Sequence, residues 1–252
     1  MLMSLDMHAH IEPGIAPLEL DRLDACIVAV TRSLAEYADL VPRHDRSVAW
    51  GVGCHPGLAK AVRSFSRDAF RAALASAPVV GEVGLDGSAK VPLAAQQAVF
   101  DDVISALVQT PRIVSVHSYR ATRQVLNTIE RHRPKGVVLH WWLGDEVETQ
   151  AALDLGAYFS VNAAQATKWS ALRLVPKTRL LLETDHPFGD RREAAPRRPG
   201  NLSLAESRVA RLLGESVEHV RQQTWRNLDQ LATEAAVHNM LPRLFQVQML
   251  AS

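Results

Sequence analysis

Short apolar runs alternate with longer amphipathic stretches along almost the whole chain. The runs Met3–His8, Ala25–Thr31, Val48–Gly53, Val79–Val83, Ile113–His117, Gly136–His140, Ala157–Val161 and Arg179–Thr184 have strand length. Several are apolar throughout, as parallel strands buried on both faces should be. Between them, Pro92–Gln109 places Leu93, Val99, Val103, Ile104 and Leu107 at helical spacing. Eight strand–helix units of about 31 residues predict an α/β protein, a single (β/α)8 barrel with extra C-terminal helices. The first connection, Glu12–Leu20, contains Pro13, Gly14 and Pro17 and predicts a loop with at most a short helix. After the eighth run, Gly189–Gly200 is rich in Arg and Pro and predicts a surface loop. Helices are expected over Leu202–Leu213, stopped by Gly214, and over Val217–Ala235, with Ser216 as N-cap. One domain is expected over residues 1–252, with the barrel at 3–235 and an apolar tail at 236–252. The tail suits a last helix packed on the barrel or a segment that docks a partner.

Composition narrows the class. The chain has 252 residues, 47% hydrophobic and 22% charged, which argues against extensive disorder. A net charge of +1 gives no global attraction to nucleic acid or membrane, so polyanion binding has to be local. Cys26 and Cys54 form no CxxC pair and fit reduced interior residues. No apolar run approaches the roughly 18 residues of a membrane span, and no signal-peptide layout precedes the first strand. A cytoplasmic protein without membrane contact is expected.

The ends of the strands carry the chemistry. Catalytic groups of such barrels sit at the strand C-termini. The first run ends in His8 and His10, two residues apart and so on one side of an extended chain. The fourth carries Glu82, the fifth ends in His117, the sixth in His140 and the eighth in Asp185. Any one of these reads as a polar residue closing a strand. Six metal-type residues at five strand exits read instead as a two-cation site, its imidazoles favouring Zn or Mn over Mg.

The chain resembles the TatD family of metal-dependent hydrolases, within the amidohydrolase superfamily. The stretches that carry the resemblance are Asp6-Met7-His8-Ala9-His10, Gly53-Cys54-His55-Pro56, Val80-Gly81-Glu82-Val83-Gly84-Leu85-Asp86, Val116-His117-Ser118, Val138-Leu139-His140, Leu182-Glu183-Thr184-Asp185-His186-Pro187 and Thr224-Trp225-Arg226-Asn227-Leu228. The resemblance implies a TIM-barrel enzyme with two divalent metal ions (Zn, Mn or Mg). His8, His10, Glu82 and Asp185 would hold one ion, and Glu82 would bridge to a second held by His117 and His140. It further implies phosphoester hydrolysis, chiefly of DNA, including 3′-to-5′ exonuclease action. Such ions acidify water and offset phosphoryl charge, and Asp185 is the expected general base. His55 suits either contact with a phosphate or leaving oxygen, or a rim hydrogen bond to a neighbouring loop. Asp86 suits either site positioning or a simple turn. Glu183 is assigned to a structural ion pair or hydrogen bond.

The chain departs from the family pattern at several places. Where the family has arginine after His-Ser, Tyr119 stands here and Arg120 follows. His140 is followed by Trp141 and Trp142, which suit base stacking or packing under a loop. Arg191, Arg192, Arg197 and Arg198 are the local excess of charge available to a polyanion; a solvated loop is the alternative. His186 is read as a variant position and not as a ligand. The Leu-His-Trp and Tyr-Phe-Ser-Val wording also resembles the TatD-like component of Qat-type bacterial antiphage systems. That resemblance implies a bacterial source and operon-encoded protein partners. Lactone, amide or small-phosphoester hydrolysis, or metal binding within such an assembly, are the competing functions. The fourth strand ends in Glu82 where lysine-bridged amidohydrolases place lysine, which favours the nuclease-type branch.

Overall fold

The structure, a computed structural model, describes residues 2–40, 43–189 and 198–252. Eight strands form one parallel sheet in sequence order: β1 Ser4–Ala9, β2 Ala25–Val30, β3 Val48–Val52, β4 Val79–Gly84, β5 Ile113–His117, β6 Val137–His140, β7 Tyr158–Val161 and β8 Leu180–Leu182. Each lies within two residues of the run that predicts it at the N-terminal side; only β8 stops two residues early. Helices fill the connections, including Leu93–Gln109, Thr122–His132 and Glu146–Asp154. The first connection holds only the five-residue helix Pro17–Asp21, as its prolines and glycine predict.

Strand alternation divides the core in two. Leu5 and Met7 of β1 and Cys26, Val28 and Val30 of β2 are buried together inside the barrel. Their neighbours Ala25, Ile27 and Ala29 pack outward with Phe100, Val103 and Ile104 of the surrounding helices. The inner cluster continues through the N-terminal mouth of the barrel to Trp225, Leu228 and Leu231 of the helix Val217–Glu234 and to Phe245 and Met249 of the last helix, Arg243–Leu250. The tail therefore contributes apolar side chains to that cluster, although its Val247 and Leu250 remain exposed.

Closing the sheet is the difficult step, because β8 has only three residues. Past its end, the Asp185 amide donates to His8 O (2.9 Å) and the His10 amide to His186 O (2.8 Å). Asp6 does the rest. Its Oδ1 accepts from the Thr184 amide (2.9 Å), and its Oδ2 accepts from the Thr184 hydroxyl (2.6 Å) and the Gly200 amide (2.8 Å). At the other end of the seam, Trp225 Nε1 donates to Met3 O (2.7 Å) and Asn227 Nδ2 to Leu180 O (2.6 Å). These contacts give the Thr-Trp-Arg-Asn segment its structural meaning: one helix holds the starts of β1 and β8 together.

Burial pushes the Asp6 carboxyl up to about 6, against the donors that face it. An Asp6→Ala substitution leaves several buried donors unpaired and is expected to lower stability by about 3 kcal/mol. Urea unfolding followed by circular dichroism measures this. Burial also pushes the Cys26 and Cys54 thiols up to about 12. Neither is expected to react with a thiol reagent until the protein is unfolded, when both should.

Candidate metal centre

The strand exits converge on Glu82. It is buried on β4, and its two oxygens face different groups. Oε1 lies 2.6 Å from His117 Nδ1 and 3.0 Å from His140 Nε2. Oε2 lies 3.4 Å from His10 Nε2, 3.4 Å from His55 Nε2 and 4.0 Å from His8 Nε2. Asp185 Oδ1 closes the other side, 3.8 Å from His8 Nε2 and 3.7 Å from His10 Nε2. The six residues expected at five strand exits are thus brought to one place.

Local backbone geometry sets these positions. Gly84 has φ +136°, and a Cβ there would lie 2.0 Å from His117 O, so only glycine lets β4 pass β5 beside the site. Asp185 has φ +44°, a left-handed conformation that aspartate tolerates better than most residues. It turns the carboxylate back across the top of β1. Trp141 has φ +40°, and its amide is held by Glu183 Oε1 at 3.1 Å.

The donors fit a divalent cation. His8 Nδ1 lies 2.7 Å from Ser115 Oγ, a contact that orients the ring with Nε2 toward the centre. His140 Nδ1 faces Glu183 Oε1 at 3.7 Å, while Nε2 points to Glu82. His8 Nε2 and Glu82 Oε2 are buried and have no hydrogen-bond partner. Separations of 3.4–4.0 Å between them and His10 or Asp185 are long for hydrogen bonds. They approach the ~3.4 Å between two ligand atoms that share one tetrahedral ion. Two groups, His8–Glu82–His140 and His8–His10–Asp185, can each bring their ligand atoms around one ion.

His55 can join a third such group with Glu82 and His117. Its hydrogen bonding argues otherwise. The Gly57 amide donates to His55 Nδ1 at 3.0 Å, so Nδ1 carries no proton and the neutral ring carries it on Nε2. His55 therefore faces the centre as a donor.

The buried groups of the centre shift one another's protonation. Burial would raise the Glu82 carboxyl, but the His55 and His117 imidazoles beside it hold it well below the usual carboxylate range. Burial would lower His140, but the Glu183 and Glu82 carboxylates raise it well above the usual imidazole range. Burial, reinforced by Glu183 and Glu82, raises Asp185 well above the usual carboxylate range. Burial and the neighbouring His140 hold His8 far below the imidazole range. Such a cluster binds a cation by exchanging its protons for it.

Other expected residues fall into separate groups. Trp141 lines a cavity of about 410 Å³ above the centre, with Tyr119, Leu143 and Phe188 also at its walls. Trp142 is buried, donates to Thr149 Oγ1 at 3.0 Å and packs on Phe159, so packing is its role. Arg120 does not line the cavity. Its φ is +52°, and its guanidinium lies 5.5 Å from the Tyr119 ring centre. Arg191, Arg192 and Arg197 lie outside the described residues. Asp86 fills both of its expected parts: Oδ1 accepts from the Ser88 amide at 2.8 Å, and Oδ2 lies 3.5 Å from His117 Nε2. Glu183 is hydrogen-bonded to Ser160 and the Trp141 amide, the structural role assigned to it. Asp6 and Ser115 were missed as supports of the site. Both stand two residues before a histidine on the same strand, so strand alternation would have found them.

Barrel and centre together define a (β/α)8 protein built around a histidine–carboxylate cluster able to hold metal. Residues 5–233 match the family model described as TatD related DNase, and the chain belongs to that family. Deoxyribonuclease TATDN3 of Homo sapiens is 27% identical over 158 residues, 59% of this chain and 57% of that protein. The match thus spans little more than half of that relative's length. The 3′-5′ ssDNA/RNA exonuclease TatD of Klebsiella pneumoniae (strain 342) is 28% identical over 200 residues, 73% of this chain and 72% of that protein. The crystal structure of YJJV, a TatD homolog from Escherichia coli k12, covers 90% of this chain and 97% of its own with a TM-score of 0.76, at 20% identity. That likeness is one of fold. Among the described residues no helix is long and apolar enough to cross a membrane.

Zn or Mn added to metal-stripped protein is expected to raise the melting midpoint. At a hundred times the dissociation constant the gain is about 2.7 kcal/mol, or roughly 5–10 °C for a chain of this size. His8→Ala and Asp185→Asn variants should lose most of that rise. An equal rise in both variants would place the ion elsewhere.

Proposed function

We propose that the protein is a two-cation phosphoesterase acting on single-stranded DNA from the 3′ end. The observation that carries this reading is the division of Glu82: Oε1 faces His117 and His140, while Oε2 faces His8 and His10. A carboxylate so placed could serve two ions held by the groups on its two sides. His8, His10, Glu82 and Asp185 would hold one, and His117, His140 and Glu82 the other. When bound, Zn, Mn or Mg would acidify water and offset charge on phosphoryl oxygens.

The protein's own groups have distinct tasks. Asp185, whose Oδ1 lies 3.8 Å from His8 Nε2 and 3.7 Å from His10 Nε2, is suited to take a proton at its other carboxylate oxygen during attack. His55 presents Nε2–H, fixed by the Gly57 amide on its other nitrogen, and donates a hydrogen bond to a phosphoryl or leaving oxygen. Burial keeps its pKa below the ordinary imidazole value, so the neutral tautomer prevails near neutral pH. Trp141 and Tyr119 offer ring surface to a terminal base. Arg191 and Arg192 are proposed contacts to the departing strand. The names of the relatives, deoxyribonuclease and 3′-5′ ssDNA/RNA exonuclease, support the substrate class.

A second reading has its own observation. Among the described residues, no Lys or Arg lines the cavity, while Tyr119, Leu143 and Phe188 make its mouth apolar. Such walls suit a small ester or lactone with an apolar substituent.

A panel of single-stranded DNA, duplex DNA, RNA, a small phosphodiester and a lactone separates the two. Cation-dependent shortening of a 5′-labelled single strand is expected, and hydrolysis of the lactone alone would sink the nuclease reading. Asp185→Asn should lower kcat by about 10²–10⁴. A His55→Ala variant should lose roughly 10²-fold in kcat while its metal content is unchanged. Loss of metal in that variant would contradict its donor role.

A further inference from the structure

A concavity away from the metal centre lies at the opposite pole of the barrel. It has a volume of about 440 Å³ and surrounds the segment 43–50 that leads into β3, whereas the metal centre lies beyond the C-terminal strand ends. One wall consists of Met240, Leu241, Pro242 and Arg243. Those residues lie outside the matched family region, 5–233.

The charges in this cavity are unequal. Asp45 is its one carboxylate, and it is fully engaged. Arg43 Nε donates to Asp45 Oδ2 (2.8 Å) and Nη2 to Oδ1 (2.9 Å), while Trp50 Nε1 adds a third bond to Oδ2 (2.7 Å). Arg43 spends its remaining donor group on Pro13 O and Ile15 O. Two cations are left over. Arg46 and Arg243 line the same cavity and are exposed, and neither guanidinium has a hydrogen-bond or ion-pair partner among the described residues. The Leu244 amide donates to Arg46 O (3.2 Å), which brings their two backbones side by side. Buried Tyr37, Leu40 and Trp50 provide an apolar floor.

We propose that this cavity is a second ligand site, which takes a small compound with a phosphate group and a planar ring, of the nucleoside monophosphate class. The guanidinium fork matches phosphate oxygens in pairs. An isolated phosphate would leave the apolar floor uncovered. A volume within the roughly 300–1,000 Å³ of small-molecule pockets suits one nucleotide better than an extended peptide. This inference is independent of the hydrolase reading.

Titration calorimetry on the metal-loaded full chain tests it, with deoxyadenosine monophosphate, deoxyadenosine and inorganic phosphate as probes. The monophosphate is expected to bind more tightly than either of its parts. Arg46→Ser/Arg243→Ser should weaken it by about tenfold or more, and Arg243→Ser alone by less. Both side chains are exposed and unpaired, so circular dichroism should show an unchanged fold. In an Asp185→Asn background, altered at the other pole, the double arginine substitution should cause the same fold-loss of monophosphate binding. Equal affinity in the double variant, absence of that fold-loss in the Asp185→Asn background, or tighter binding of a Glu-rich hexapeptide would each overturn the assignment.

Discussion

The barrel depends on the seam between β1 and β8, and one buried carboxylate holds the upper end of that seam. β8 is too short to form a full ladder with β1. Asp6 supplies from its side chain the acceptors that a longer ladder would have supplied from the backbone. The cost is a desolvated acid in the core, and the return is the placement of Thr184 within hydrogen-bond reach of β1. Asp185 follows Thr184 directly, so its distance from His8 and His10 is a consequence of that bond. At the lower end, Trp225 and Asn227 on one helix bind the starts of both strands. Fold and site therefore share a common support.

Glu82 imposes the second constraint. A carboxylate buried at 2% exposure requires positive charge nearby, and among the described residues the groups that face it are histidines. Neutral imidazoles cannot balance it. Either protons or metal ions complete the centre, and the two compete for the same lone pairs. Hydrogen bonds sort the histidines further. The Gly57 amide, an obligate donor, leaves His55 with an N–H toward the centre, whereas the Ser115 hydroxyl beside His8 can donate or accept and so allows either tautomer.

Much of this was legible in the chain, for a physical reason. Strands buried on both faces must be apolar until they emerge, so the first polar residue of each run marks its exit. Glu82 and His140 follow that rule, Asp6 and Ser115 are buried polar exceptions ahead of His8 and His117, and the eight runs could be placed to within about two residues. What stayed hidden depends on contacts between distant segments. Asp6 lies 178 residues from Thr184, and no local pattern announces their bond. Arg120 has a positive φ that its sequence neighbours do not dictate. The split fate of Trp141 and Trp142 arises from the same kind of turn, which sends one ring to the cavity and the other beneath Phe159.

The sequence order of the strands has a consequence for the making of the protein. β1 pairs with β2 about twenty residues later, but its other neighbour is synthesised only when the chain is nearly three-quarters complete. During translation, His8 and His10 exist long before Asp185, and a chain interrupted before β8 has neither the seam nor the closing ligand. Assembly of the complete six-residue centre is thus delayed until the barrel can close.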